Sequence, residues 1–311
     1  LHLGLKLVEV VINTTGIVTT TTVREGGKTT LFVRLTTEAG AWIEQYVDRA
    51  SLLTPHWLPC VVPPKPWTGP TGGGYFTQAV PLLKLVKTRN QGYLEELRNR
   101  VDEMQTVYDA INAVQDTAWR VNPQVLQVME DVWVMGGGIA GIPDANPAPI
   151  PPKPAMVDLS VDRAGWSDEW KAEWKAWKKA ASRVHVANQG AGSKRLSILA
   201  CLSVARQFKD DAAIYFPHQL DFRGRLYAVP RTLNPQGADY AKGLLEFSEG
   251  IELGTQGAAD WLAIHGANTW GYDKVSLADR VAWVRENQAR ILSVAERPAD
   301  DLWWVDADKP W

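Results

Sequence analysis

Hydrophobic and polar positions change period several times along this chain, and each change marks an element. In residues 12–36, INTTGIVTTTTVREGGKTTLFVRLT, two β-branched runs flank Glu25-Gly26-Gly27. β-branched side chains suit a pleated surface and the glycines suit a tight turn, so the pattern predicts a hairpin over residues 18–33. A short helix or strand pattern precedes it, and an amphipathic helix is expected over residues 38–50. In residues 55–76, PHWLPCVVPPKPWTGPTGGGYF, prolines and three consecutive glycines forbid a regular element. Residues 117–208 read as helical apart from GGGIAGIPDANPAPIPPKPAM, whose prolines from Pro143 to Pro154 predict an extended surface linker. Trp166, Trp170, Trp174 and Trp177 fall at helical spacing and predict an aromatic stripe packed against a neighbouring helix, with Lys171, Lys175, Lys178 and Lys179 largely off it. A separate helix is expected from GAGSKRLSILACLSVARQF: Ser193 caps it, Lys194 and Arg195 start it, and Leu196, Leu199, Leu202 and Val204 supply its apolar contacts. Beyond residue 209 the pattern predicts a strand pair and two helices, one capped by Thr255, the other opened by Ser276 and Asp279 and stopped by Pro298.

These elements group into three segments, residues 1–116, 117–208 and 209–311, of an α+β, mainly helical chain. Composition narrows the class. A net charge of -2 does not advertise a polyanion partner, although what matters is where the cations sit. No run of 18 or more apolar residues appears and the first residues lack the flanks of a signal peptide, so a membrane partner is not expected. A start without methionine and the abrupt DKPW end suggest a piece of a longer protein. Cys60 and Cys201 read as structural thiols of a cytoplasmic protein, and the Gly72–Gly74 run lacks the lysine and helix start of a phosphate-binding loop. His265 has no second ligand at metal spacing beside it and reads as a packed or hydrogen-bonded histidine. No metal site is expected.

The candidate chemistry lies in FPHQLDFRGRLYAVPRTLNPQG, residues 216–237. If it runs as a strand, Asp221, Arg223, Arg225 and Tyr227 share one face, and Phe222, Gly224, Leu226 and Ala228 the other. Two guanidiniums about 7 Å apart, with a phenol next in line, suit a run of phosphates or a ribose. A pair of arginines bonded to Asp221 or Glu246 is the alternative. Lys194 and Arg195, as cations in a helix's first turn, oppose the macrodipole, which suits either an anion held there or a solvated pair.

Several motifs carry a resemblance. YFPHQLDFRGRLYAVPRTLNPQGADYAKGLLEFSEG, WLAIHGANTWGYDKV, PCVVPPKPWTGPTGGGY and ENQARILSVAERPADDLWW together resemble the bacteriophage-type single-subunit RNA polymerases, a family that also includes the mitochondrial enzymes, from about residue 5 to the end. The resemblance implies part of a right-hand polymerase fold: residues 1–116 as the end of the N-terminal promoter-binding domain, 117–208 as the thumb, and 209–311 as the start of the palm. It also implies that Arg225 holds nucleic-acid backbone and that Tyr227 helps sense the sugar hydroxyl. Arg223 lines the same floor, Lys242 adds charge nearby, and Lys194 and Arg195 lean on the template–transcript hybrid.

The implied partners are template and promoter DNA, the RNA transcript and ribonucleoside triphosphates, with the fingers and remaining palm either cut from the same chain or carried by a second polypeptide. Mg²⁺ is implied for the complete enzyme, held by two aspartates in a DGS context that neither Asp306 nor Asp308 shares. This chain is therefore expected to bind no Mg²⁺ and to be inactive alone. At the hairpin, Val23, Arg24, Gly26 and Gly27 stand where phage relatives carry an apolar tip residue; Val23 lies off the turn, which leaves a strand-wedging role in doubt. A non-catalytic nucleic-acid-binding module built on the same fold is the second reading, ahead of a family-A-type DNA polymerase fragment, which lacks the WTGPTGGGY loop. The expected setting is the cytoplasm of a phage-infected cell, ahead of a mitochondrion.

Overall fold

A computed structural model describes residues 2–25, 28–45, 57–77, 83–157 and 160–311. The architecture is α+β and mainly helical, with three two-stranded sheets among the described residues. It divides into two compact units, residues 1–54 and 55–311.

In the first unit, α1 (His2–Thr15) leads into β1 (Val18–Glu25) and β2 (Lys28–Leu35). The strands pair antiparallel from Val18 opposite Leu35 to Glu25 opposite Lys28, a register that leaves two residues for the turn. Those residues, Gly26 and Gly27, lie outside the described residues. Val23 and Arg24 belong to the backbone of β1, opposite Thr30 and Thr29. α2 (Thr37–Gln45) opens with the Thr36 hydroxyl accepting from the Ala39 N–H; its predicted continuation to Ala50 lies outside the described residues.

The second unit begins with the irregular segment that the prolines and glycines predict. Trp67 is fully buried there: its backbone N–H donates to Asn112 Oδ1, and its indole N–H donates to the His218 carbonyl. Gly73 presses against this ring so closely that a Cβ would lie 2.5 Å from Trp67 Cδ2, so the glycine run serves close packing. α3 (Gln91–Asn99) and α4 (Gln105–Gln115) follow, then β3 (Trp119–Val121) and α5 (Pro123–Val134). α5 starts where Asn122 accepts from the N–H groups of Gln124 and Val125 and Pro123 takes the first turn.

α6 (Asp168–Phe208) corrects the expected separate helix. It runs unbroken for 41 residues, capped by Ser167, so Ser193 is no cap and Lys194 and Arg195 sit in mid-helix rather than in a first turn. Gly190 and Gly192 weaken the helix there by about 1 kcal/mol each but do not remove a backbone donor. Burial of Ile198, Cys201, Leu202, Ala205 and Phe208 in the main core holds the inner half.

The outer half is held by the proline-rich segment, which is not a free linker. Ala148 N–H donates to Asn188 Oδ1 at 2.8 Å, Asn188 Nδ2 donates to the Ala148 carbonyl at 2.9 Å, and Trp177 Nε1 donates to the Pro151 carbonyl at 2.8 Å. The segment is a strap lying along α6. Of the predicted tryptophan stripe, Trp177 is thus bonded to this strap, and Trp174 packs between Trp177 and Trp166, which precedes the helix. Trp174 sits 5.5 Å from Trp166 and 4.6 Å from Trp177.

The strand pair is β4 (His218–Leu220) with β5 (Leu226–Ala228); α7 (Asp239–Gly243) and β6 (Leu245–Phe247), which pairs with β3, come next. α8 (Gln256–Trp270) and α9 (Leu277–Glu296) start at Thr255 and Ser276, whose hydroxyls accept from Ala258 and Asp279. Among the described residues no helix is long and apolar enough to cross a membrane.

Candidate nucleic-acid interface

The arginines do not lie along one strand. β4 and β5 are only three residues each, and Asp221 to Arg225 form the turn between them. Gly224 explains why: its φ of +78 turns the chain into the left-handed region, which a strand cannot accommodate. No atom of the described residues stands within 4 Å of a Cβ built there, so within the chain it is the backbone conformation that calls for glycine.

Asp221 organises the turn. Its Oδ1 accepts from the N–H groups of Arg223 and Arg225, both at 2.9 Å, and its Oδ2 accepts from Arg225 Nε at 2.9 Å. Desolvation pushes its carboxyl up, but the two backbone donors and the Arg225 guanidinium outweigh it and hold the group below its ordinary value. The carboxylate anchoring Arg225 is thus Asp221, whereas Glu246 bonds Arg120 at 2.6 Å and Asn122 at 2.9 Å.

The contact with Asp221 uses Arg225 Nε, and the side chain stays 59% exposed. Arg223 lies with its guanidinium carbon 5.2 Å from the Phe222 ring centroid and, among the described residues, makes no ion pair. Tyr227 is exposed on β5, directly opposite Gln219. The hairpin rises from a rigid base. Leu220 N–H donates to the Leu85 carbonyl, Lys87 N–H donates to the Leu220 carbonyl, and His218 is buried beside Gln115. Burial holds the His218 imidazole below its ordinary pKa, against a raising hydrogen bond with the Phe216 backbone.

The other predicted cations divide. Lys242 is exposed on α7. Lys194 is exposed in mid-α6 and lines an open pocket of about 310 Å³ with Asp239, Tyr240, Asp308 and Trp311. Arg195 is committed to the fold: its Nη1 donates to the carbonyls of Pro143 at 2.6 Å and Gly136 at 3.3 Å, and its guanidinium stacks 4.0 Å from the Trp133 ring centroid. His265 is exposed on α8 rather than packed. Cys60 and Cys201 are free, with burial pushing their thiols up to about 11 and about 12.

Asp306 ends a short 3-10 turn, and the backbone of Asp308 is bonded to the Trp270 carbonyl. No group of three or more His, Cys, Asp or Glu side chains that could hold a metal occurs among the described residues. Sequence reasoning missed Gln236, whose side chain bonds the backbone on both sides of Tyr227. The signal for it, Asn234-Pro235-Gln236-Gly237, reads only as a turn.

Two family models match the chain: one for the N-terminal part of DNA-directed RNA polymerase over residues 17–116, and one for DNA-dependent RNA polymerase over residues 251–311. The DNA-directed RNA polymerase of Enterobacteria phage T3 is 37% identical over 320 residues, covering 100% of this chain and 34% of that protein. T7 RNA polymerase of Escherichia phage T7 is 36% identical over 315 residues, with coverages of 100% and 34%. DNA-directed RNA polymerase 2, chloroplastic/mitochondrial, of Arabidopsis thaliana is 37% identical over 259 residues, covering 82% of this chain and 24% of that one. The chain spans about a third of the length of the phage relatives it matches.

Proposed function

Since this chain belongs to the phage-type DNA-directed RNA polymerases, we propose that it is the nucleic-acid-gripping part of an enzyme that copies a DNA template into RNA from ribonucleoside triphosphates. In this reading residues 1–116 end the promoter-binding region, 117–208 form the thumb, and 209–311 begin the palm. Arg223, Arg225 and Tyr227 hold the template–transcript hybrid, with Lys242 and Lys194 adding positive charge. Arg195 acts differently, as the brace that ties the middle of α6 to the Gly136 and Pro143 carbonyls. The Mg²⁺-holding aspartates and the fingers belong to sequence outside these residues, either cut from the same chain or carried by a second polypeptide.

The observation that supports the reading best is the Asp221–Arg225 turn. It places two guanidiniums at the exposed tip of a hairpin whose base is buried, and the contact with Asp221 engages Arg225 through Nε. A planar guanidinium oriented this way suits phosphate oxygens. The test is binding of a labelled DNA–RNA hybrid across a salt series. Arg225→Ala should weaken binding roughly ten-fold to a hundred-fold and lower the salt slope by about 1, with unfolding unchanged. Loss of stability in step with binding would assign Arg225 to the fold alone.

A non-catalytic binding module built on the same fold is the second reading. A companion polypeptide that restores synthesis excludes it.

A further inference from the structure

Among the described residues β5 pairs with β4 alone, and a single side chain fills its other edge. The three cross-strand pairs are His218 with Ala228, Gln219 with Tyr227 and Leu220 with Leu226. In this register, Leu226 and Ala228 turn their backbone groups away from β4. The Leu220 N–H and carbonyl, opposite Leu226, bond outward to residues 85 and 87 in keeping with this alternation. On the free edge, Gln236 Oε1 accepts from the Ala228 N–H at 2.7 Å and Gln236 Nε2 donates to the Leu226 carbonyl at 2.9 Å. One amide thereby makes the two hydrogen bonds that a third strand would make.

Gln236 is itself aimed. Its N–H donates to Oδ1 of Asn234, a residue only 6% exposed, and Gly237 N–H donates to the Asn234 carbonyl. A Cβ at Gly237 would lie 2.9 Å from Ala241 Cβ, so the turn is seated tightly against α7. Asn234-Pro235-Gln236-Gly237 is thus a rigid mount for one side-chain amide.

We propose that Gln236 is the positioning residue for Tyr227, and through it a determinant of how this surface meets a DNA–RNA hybrid. The assignment rests on the nucleic-acid reading above. Tyr227 is paired to Gln219 through β4, and Gln236 clamps the peptide groups on either side of it. Both backbone units that set the direction of its Cα–Cβ bond are then fixed, while the ring stays exposed. Gln236 is itself exposed and adds little to the core. Its two bonds serve the direction of one side chain.

The experiment is a double-mutant cycle on the full chain, read as affinity for a labelled DNA–RNA hybrid at fixed salt, with the salt slope and the urea midpoint measured in parallel. Tyr227→Ala should weaken binding about ten-fold, and Gln236→Ala several-fold. Gln236→Ala should add nothing in the Tyr227→Ala background, because coupled residues are not additive. Gln236→Met keeps the side-chain length without charge but makes neither hydrogen bond, and should match Gln236→Ala. Neither variant of Gln236 should change the salt slope, since no phosphate contact is lost. Additive losses, parent-like binding by Gln236→Ala, or a fall in urea midpoint matching the loss of binding would overturn the assignment alone. Parent-like binding by both Tyr227→Ala and Arg225→Ala would overturn the nucleic-acid reading and this assignment with it.

Discussion

Arg195→Ala separates a structural cation from a binding one. The side chain makes a 2.6 Å bond to the Pro143 carbonyl, a longer 3.3 Å bond to the Gly136 carbonyl, and a stack on Trp133 at 4.0 Å. The short charge-assisted bond contributes about 2 kcal/mol and the long one about half a kcal/mol. The cation–π contact adds roughly 1 kcal/mol. Arg195 is half-buried, so water reaches the freed carbonyls and offsets part of the sum. The expected net loss is about 2–3 kcal/mol of unfolding free energy.

Arg195→Lys keeps the charge but loses the planar stack and the span between two carbonyls, and should lose about 1 kcal/mol. Urea unfolding followed by far-ultraviolet circular dichroism measures both. A parent-like midpoint for Arg195→Ala together with weakened hybrid binding would refute the brace and return Arg195 to the binding surface.

Further outcomes follow from the same geometry. Because burial holds folded His218 below its ordinary value of 6.5, the unfolded chain takes up the proton first. Its contribution is therefore complete above about pH 6.5 and lost as pH falls from there through the folded pKa. His218→Gln should flatten the acid limb of urea midpoints between about pH 7 and pH 5, and an unchanged limb contradicts the assignment. Gly190→Ala and Gly192→Ala should each stabilise by up to about 1 kcal/mol, because no heavy atom stands within 4 Å of either added Cβ; a lower urea midpoint would mean that the glycines are needed sterically. Asn188→Ala removes both bonds to Ala148 and should expose the strap to limited proteolysis between residues 143 and 157, with fragment mass locating the cut. Cleavage no faster than in the parent would show that the strap is held elsewhere.

Local chemistry made much of the fold readable. The two-glycine hairpin and the Thr255 and Ser276 caps are each decided within a few residues, and the structure contains all three elements. What depended on distant partners was not readable. Ser193 followed by two cations resembles a helix start, yet the helix begins at Ser167, where Asp168 and Glu169 suit the first turn. Continuity through Gly190 and Gly192 comes from burial on one side and the strap on the other, and the strap depends on Asn188 meeting Ala148 across 40 residues. The Asp221 to Arg225 segment alternates like a strand, but a glycine between two polar residues with an aspartate three positions earlier is equally a turn signature. Arg195 looked like its neighbour Lys194 because its carbonyl partners, 52 and 59 residues away, leave no local mark.

Template-directed incorporation of ribonucleotides in the presence of Mg²⁺ tests the central claim most directly, measured with this chain alone and then mixed with a polypeptide carrying the family's remaining palm and fingers. The account predicts no synthesis by the chain alone and synthesis on mixing, reduced by Arg225→Ala. Synthesis by the chain alone would contradict it, because the metal-holding carboxylates would then lie within these residues. Silence of the mixture, with both polypeptides folded and associated, would contradict the proposal that this chain is part of a working polymerase.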